Sequence, residues 1–172
     1  RNGARRGDDR GSTAMDFGFS AEQEAIRDAV ARVCADFGLD YWRQHDRDGG
    51  FPVEFHRAFA RAGWLGIAMP AEHGGAGLGI IEAALMMRTI AESGAGFSGA
   101  SAIHMNIFGL LPVVVYGTKE QQKRMLPPLI AGKDKSCFAV TEPIATMRPQ
   151  RRAVMCGIAA RQRRIVLRST RW

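Results

Sequence analysis

Between Phe17 and Ala131 apolar residues return every three to four positions, a spacing that predicts a succession of helices. The first opens at Ser20, where Ser20 and Gln23 have the spacing of a capping box. Ile26, Ala29, Val30, Val33, Cys34 and Phe37 then fall on one face, and Gly38 marks a stop. A polar, glycine-ended turn at 46–50 precedes a second helix with Pro52 as its first residue, Phe55, Phe59 and Ala62 facing inward, and Gly63 at its end. Residues 64–70 form a short apolar run broken by proline, and 74–79 read as a loop by their glycines. A helix is expected over 80–92 and a small-residue loop over 93–100. The stretch 102–116, apolar nearly all round, predicts a central buried helix bent at Pro112. Thr118 caps a further helix over 119–131, distorted in its second half by Pro127 and Pro128. Residues 136–141 (SCFAVT) are short, apolar and partly β-branched, which reads as a strand.

The two ends lack this texture. Residues 1–13 are rich in Gly and Arg and are expected to be disordered, with patterned sequence starting after Met15. Residues 144–172 show neither a helical nor an alternating period and contain no acid, so they are not counted in the fold. The fold class expected is therefore all-α: a helical bundle with one strand-like segment near 136–141 and disordered ends.

Charge follows the same division. The chain carries +7, but residues 1–14 hold four Arg and two Asp, and 144–172 hold eight Arg, which leaves the middle at −3. A nucleic-acid surface needs clustered Lys and Arg, so the patterned region is not read as a nucleic-acid binder. Cys34, Cys137 and Cys156 are scattered and form no CxxC pair, which argues against a zinc ribbon and suits a reducing compartment. No metal site is expected. Arginines near the N-terminus are followed by no apolar run, and the stretch 103–116 is short for a bilayer and contains Pro112, so neither a signal peptide nor a membrane span is expected and the location is read as cytoplasmic.

Few motifs suggest chemistry by themselves. The glycines at 74–79 lack both the preceding strand of a dinucleotide fingerprint and the Lys-Ser/Thr end of a phosphate loop. Residues 96–99 (GFSG) lack the last glycine of a nucleophile elbow. His45, His56, His73 and His104 are dispersed and read as surface or cap histidines, and Cys34 reads as a small core residue.

Four segments together resemble the acyl-CoA dehydrogenase family: FGFSAEQ at 17–23; AGWLGIAMP at 62–70 followed by EHGGAG at 72–77; GTKEQQKR at 117–124 with LPPL at 126–129 and Gly132; and FAVTEP at 138–143. The resemblance covers about residues 15–143. It implies an N-terminal helical domain over 15–135, the start of a β domain at 136–143, a leader at 1–14, and a non-family basic tail at 144–172. It implies FAD as cofactor, an acyl-CoA substrate that loses its α-proton to a carboxylate and a β-hydride to the flavin, an electron-transfer flavoprotein as electron acceptor, and a homo-oligomeric intact enzyme. Phe138, Val140 and Thr141 match the flavin-contacting segment, with the Thr141 hydroxyl at the flavin's polar edge. Met105, Phe108 and Gly109 match the region that walls the acyl pocket. After Glu142 and Pro143 the family pattern is left: Ile144, Thr146, Met147 and Arg148 stand where other residues are expected, and Met147 replaces a substrate-touching serine. An out-of-frame terminus would account for that change. No residue matches the catalytic base, Glu142 included, since it falls in the structural Glu-Pro. The expectation is thus a truncated oxidoreductase, inactive alone, with a non-catalytic helical interaction module pairing with an intact homologue as the alternative.

Overall fold

The computed structural model describes residues 18–109, 111–139, 155–160 and 163–166. Helix α1 (Ala21–Ala35) starts where its cap predicts: the Gln23 amide donates to Ser20 Oγ at 3.2 Å, and the Ser20 amide donates to Gln23 Oε1 at 3.1 Å. Replacing Ser20 with alanine is expected to lower stability by about 1 kcal/mol, seen as a lower urea midpoint at unchanged slope. An unchanged midpoint would show that the cap contributes nothing.

α1 stops at Ala35, short of Gly38, which instead caps α2 (Leu39–Asp48). The sequence pattern does not announce α2, because most of its residues are polar and Trp42 is its one buried residue. The Trp42 indole donates to the Phe37 carbonyl at 3.1 Å. Leu39, Tyr41 and Trp42 are its only apolar residues, too few in ten to stand out as a repeating period.

Pro52 caps α3 (Val53–Arg61). Phe55 and Phe59 are fully buried as expected, but Ala62 is an exposed cap, and His56 takes the additional inward place. That also corrects the reading of His56 as a surface histidine. Phe55 sits among the rings of Phe37, Trp42 and Phe59, with centroids at 5.2, 4.9 and 4.6 Å.

Two short 3-10 turns, Trp64–Gly66 and Ala71–His73, lead into the glycine-rich segment. Its backbone is bound inward. The amides of Gly75, Ala76, Gly77 and Leu78 donate to the carbonyls of Pro70, Gly66, Met69 and Ile67 at 3.1, 2.9, 2.8 and 3.0 Å. The segment is a strap laid across the 64–70 run, and these amides are not free to cradle a phosphate.

α4 (Ile80–Ile90) begins with the Gly79 amide on Glu82 Oε2 at 3.0 Å, and Glu82 Oε1 accepts from the Gln23 side chain at 3.2 Å, which ties the starts of α1 and α4. A π-helical turn, Ala91–Ala95, joins α4 to α5 (Gly96–Phe108). The expected loop at 93–100 is thus mostly helical, and the bend is concentrated at Gly94 (φ 96°) and Gly96 (φ 54°), left-handed values that favour glycine. The expected single helix over 102–116 is two: α5 ends at Phe108 and α6 (Leu111–Tyr116) follows. Pro112 lies in the first turn of α6, where its missing amide costs little. Nor is this stretch buried all round: Leu111, Val115 and Tyr116 are exposed.

Thr118 caps α7 (Lys119–Ile130), with its amide on Gln121 Oε1 at 2.8 Å. The helix continues through Pro127 and Pro128 to Ile130. Met125, Leu126, Leu129 and Ile130 bury against Met69 and Val113, a small core beside the larger one built on Val30, Phe55, Phe59, Ile67, Met86 and Ile103.

The strand predicted near 136–141 is β1 (Lys135–Ala139). It pairs antiparallel with β2 (Met155–Ala160), and β2 pairs antiparallel with β3 (Arg163–Val166), with Phe138 opposite Cys156 and Ile158 opposite Ile165. The reading that residues 144–172 lie outside the fold is corrected for these two stretches. The open edge of β1 presents backbone donors and acceptors that a short apolar run such as 155–160 satisfies, although six residues are too few to announce a period. The helical bundle remains the body of the molecule.

Candidate functional site

Two of the residues singled out from sequence, Met105 and Gly109, lie where the end of α5 reaches β1. Ser136 is buried, and its hydroxyl donates to the Met105 carbonyl. Gly109 is buried one turn further on, and a Cβ there would collide with Ser136 Oγ. The next residue along α5 makes a second attachment: Asn106, also buried, donates through Nδ2 to the Leu129 carbonyl of α7 at 3.2 Å. Met105 and Asn106 together therefore fix α5 to the first strand on one side and to the end of α7 on the other.

At the entrance to β1, Lys135 Nζ stands 3.5 Å from the centre of the Phe51 ring. Partial burial, and then the neighbouring Arg57, push its pKa down. The face of the ring returns part of the lost hydration.

A cleft of about 370 Å³ opens between α4 and α5. Ile80, Ala84, Met87, Phe97, His104 and Ile107 line it, so its walls are mostly apolar. His104 Nδ1 lies 2.9 Å from the Ser101 carbonyl, which orients the ring on its own helix. At the mouth Ile80 and Phe97 are 61% and 85% exposed. A second cleft, between α1 and α4, is lined by Arg27, Asp28, Cys34, Thr89, Glu92 and Ser93. Burial raises the Cys34 thiol pKa, with a hydrogen bond from Ser93 opposing it in part, which disfavours the thiolate.

Of the residues singled out from sequence, Met105 and Gly109 come together at Ser136. Phe108 is the last residue of α5, and Phe138 lies on β1. Val140 and Thr141 lie outside the described residues, as do Glu142 to Arg148. The cleft uses other residues: Phe97, Ser101, His104 and Ile107 from α5, with Ile80, Ala84 and Met87 from α4. Their signal was present as steps of three and four along each helix, hidden because both helices are apolar on several faces. Among the described residues no group of three His, Cys, Asp or Glu could hold a metal ion.

A flavin is not enclosed by the described residues. Neither cleft is lined by a residue of β1.

Residues 20–133 match the family model described as "Acyl-CoA dehydrogenase, N-terminal domain". The chain is 33% identical over 133 residues to Acyl-CoA dehydrogenase FadE12 of Mycobacterium tuberculosis, covering 77% of this chain and 34% of that protein. It is 36% identical over 135 residues to Acryloyl-CoA reductase (NADH) of Anaerotignum propionicum, covering 76% and 33%. Mitochondrial isovaleryl-CoA dehydrogenase of Pongo abelii is 31% identical over 130 residues, covering 74% and 30%. Among solved structures, a chain in "Electron transferring flavoprotein of Acidaminococcus fermentans: Towards a mechanism of flavin-based electron bifurcation" superposes with a TM-score of 0.64 at 26% identity, covering 76% of this chain and 34% of that one. "Apo-form PigA" shares the fold at a TM-score of 0.67 and 21% identity, covering 83% and 41%. The chain spans about a third of the length of these curated relatives. It belongs to the acyl-CoA dehydrogenase family, and residues 20–133 are its N-terminal domain.

Proposed function

We propose that this chain serves an FAD-dependent oxidoreductase acting on the α,β-bond of an acyl-CoA thioester, and that its part is to supply one wall of the acyl site. The observation that carries the reading is the double use of α5: one side lines the apolar cleft against α4, and its end holds β1 through Met105 and Ser136. An acyl chain needs an apolar slot, and water excluded from that slot leaves the thioester end at the strand side. Bound FAD would supply the hydride acceptor. The strand carrying Phe138, and Val140 and Thr141 after it, is the part of this chain proposed to face it. The curated relatives carry both dehydrogenase and reductase names, so the direction of the reaction is part of the proposal. No residue of this chain is assigned as the base. An electron-transfer flavoprotein is the proposed redox partner of the whole protein.

The test is titration of the 15N-labelled chain with a short acyl-CoA. Amide shifts are expected at Ala84, Met87, Ser101, His104 and Ile107 and at the 105–109 junction. Coenzyme A alone should leave the cleft residues unmoved. No shift at the cleft with millimolar acyl-CoA would sink the acyl-wall reading.

The exposed apolar residues Leu78, Ile80, Ile81 and Phe97 favour a second reading, in which the helical domain pairs with another chain through this face. Sedimentation with and without an intact homologue separates the two.

A further inference from the structure

His56 is 2% exposed, and its Nε2 is buried with no hydrogen-bond partner. It stands where four parts of the fold converge. α3 carries it. Asn106 of α5 interacts with its ring. The Phe51 ring meets it edge-on at 5.3 Å. In the turn after α7, a Cβ built on Gly132 would lie 3.5 Å from its Cε1. Asn106 in turn holds the Leu129 carbonyl, and its neighbour Met105 holds Ser136 of β1.

We propose that His56 is a positioning residue: in its neutral form it fixes the junction of α5 with β1, and its protonation opens that junction. The inference rests on packing and holds whatever the α4–α5 cleft binds.

The charges around the ring decide the direction. Lys135 from β1 acts on it as a cation, and Arg57 of α3 is a second cation beside Lys135. α5 presents the uncharged Asn106, and the turn presents Gly132. Among the described residues no carboxylate acts on the ring to receive a proton's charge. Burial, and then Lys135, lower the His56 pKa from 6.5 to about 4. An opened junction exposes the ring and returns it to its ordinary value. Between those two pH values the open form binds a proton that the closed form does not. The closed junction is therefore favoured above pH 6.5 and loses ground as pH falls toward 4, where the closed form begins to protonate too. Opening grows with a slope that approaches, at most, about tenfold per pH unit in the middle of this window.

The experiment is amide hydrogen exchange by NMR on the chain, corrected for the intrinsic rate at each pH. From pH 6.5 to 4.5 the opening constants of Asn106, Gly132 and Ser136 are expected to rise about fortyfold, ahead of Val30 in α1 at every pH. In His56→Phe, which keeps an aromatic ring that cannot titrate, that slope should vanish. A flat profile in the wild type, the same slope in His56→Phe, or exchange of the junction amides at the Val30 rate would each overturn the proposal. Should His56→Phe fail to fold, the imidazole carbon shifts of the wild type decide. A midpoint near 4 supports the latch, and one near 6.5 overturns it.

Discussion

Phe55→Ala is expected to remove about 3–5 kcal/mol of stability, the range for a large aromatic deleted from a core that cannot collapse. Phe55 is fully buried, and three aromatic neighbours hold it at centroid distances of 4.6 to 5.2 Å. Phe37 enters from the loop after α1, Trp42 from α2, and Phe59 from the next turn of α3. None can move into the space without leaving its own partners, and Trp42 is pinned by its bond to the Phe37 carbonyl. The loss is comparable to the whole stability of a marginal domain, about 5–15 kcal/mol. Urea unfolding followed by tryptophan fluorescence measures it, since Trp42 is adjacent. Phe97→Ala is the control: Phe97 is 85% exposed, and a change within about 0.5 kcal/mol is expected. A loss below about 1 kcal/mol for Phe55→Ala would mean that this cluster is not the centre of the core.

Gly75→Ala is expected to cost about 3 kcal/mol, the upper part of the range for forcing a methyl group into filled space. The reason is collision and not conformation, because Gly75 has no positive φ. A Cβ there would strike the Met69 carbonyl, which is backbone and already accepts the Gly77 amide at 2.8 Å. Relief requires shifting the strap, and with it the bonds to Gly66 and Ile67. Gly74→Ala supplies the comparison. Gly74 has φ 89° and open space around its would-be Cβ, so only backbone strain of about 1 kcal/mol is expected. Thermal or urea unfolding of the two variants should rank Gly75→Ala well below Gly74→Ala. The reverse order would show that the strap yields easily.

What could be read from sequence follows from the range of the forces involved. The caps at Ser20 and Thr118 were legible because a cap is settled within four residues. Phe55 and Phe59 were legible because a four-residue step on a helix places both on one face. α2 was not, since its inward side rests on few apolar residues, chiefly Trp42 and Tyr41, in an otherwise polar segment. The boundary between α5 and α6, and the start of α5 at Gly96, were hidden by uniform hydrophobicity. The inward turn of His56 was hidden because imidazole suits surface and interior alike. Strands β2 and β3 depend on the edge of β1, a partner distant in sequence. For the site, resemblance pointed to Met105 and Gly109, which meet at Ser136, while the cleft-facing rows of α4 and α5 required the packing of one helix on the other.

The paired left-handed glycines after α4 bear on how one long apolar stretch is packed. The stretch Ile80–Tyr116 is long and apolar enough by composition to cross a membrane, its most apolar 18-residue window having a mean hydropathy of 1.5. Length and composition alone do not distinguish such a stretch from a helix of a protein core. Here Gly94 and Gly96 break the stretch near its middle, α5 and α6 are separate helices, and Met86, Ile90, Ile103 and Ile107 turn their apolar surface to the other helices of the bundle. The two positive-φ glycines thus divide one long apolar stretch into shorter helices, which lets successive parts of it pack against different neighbours in the bundle.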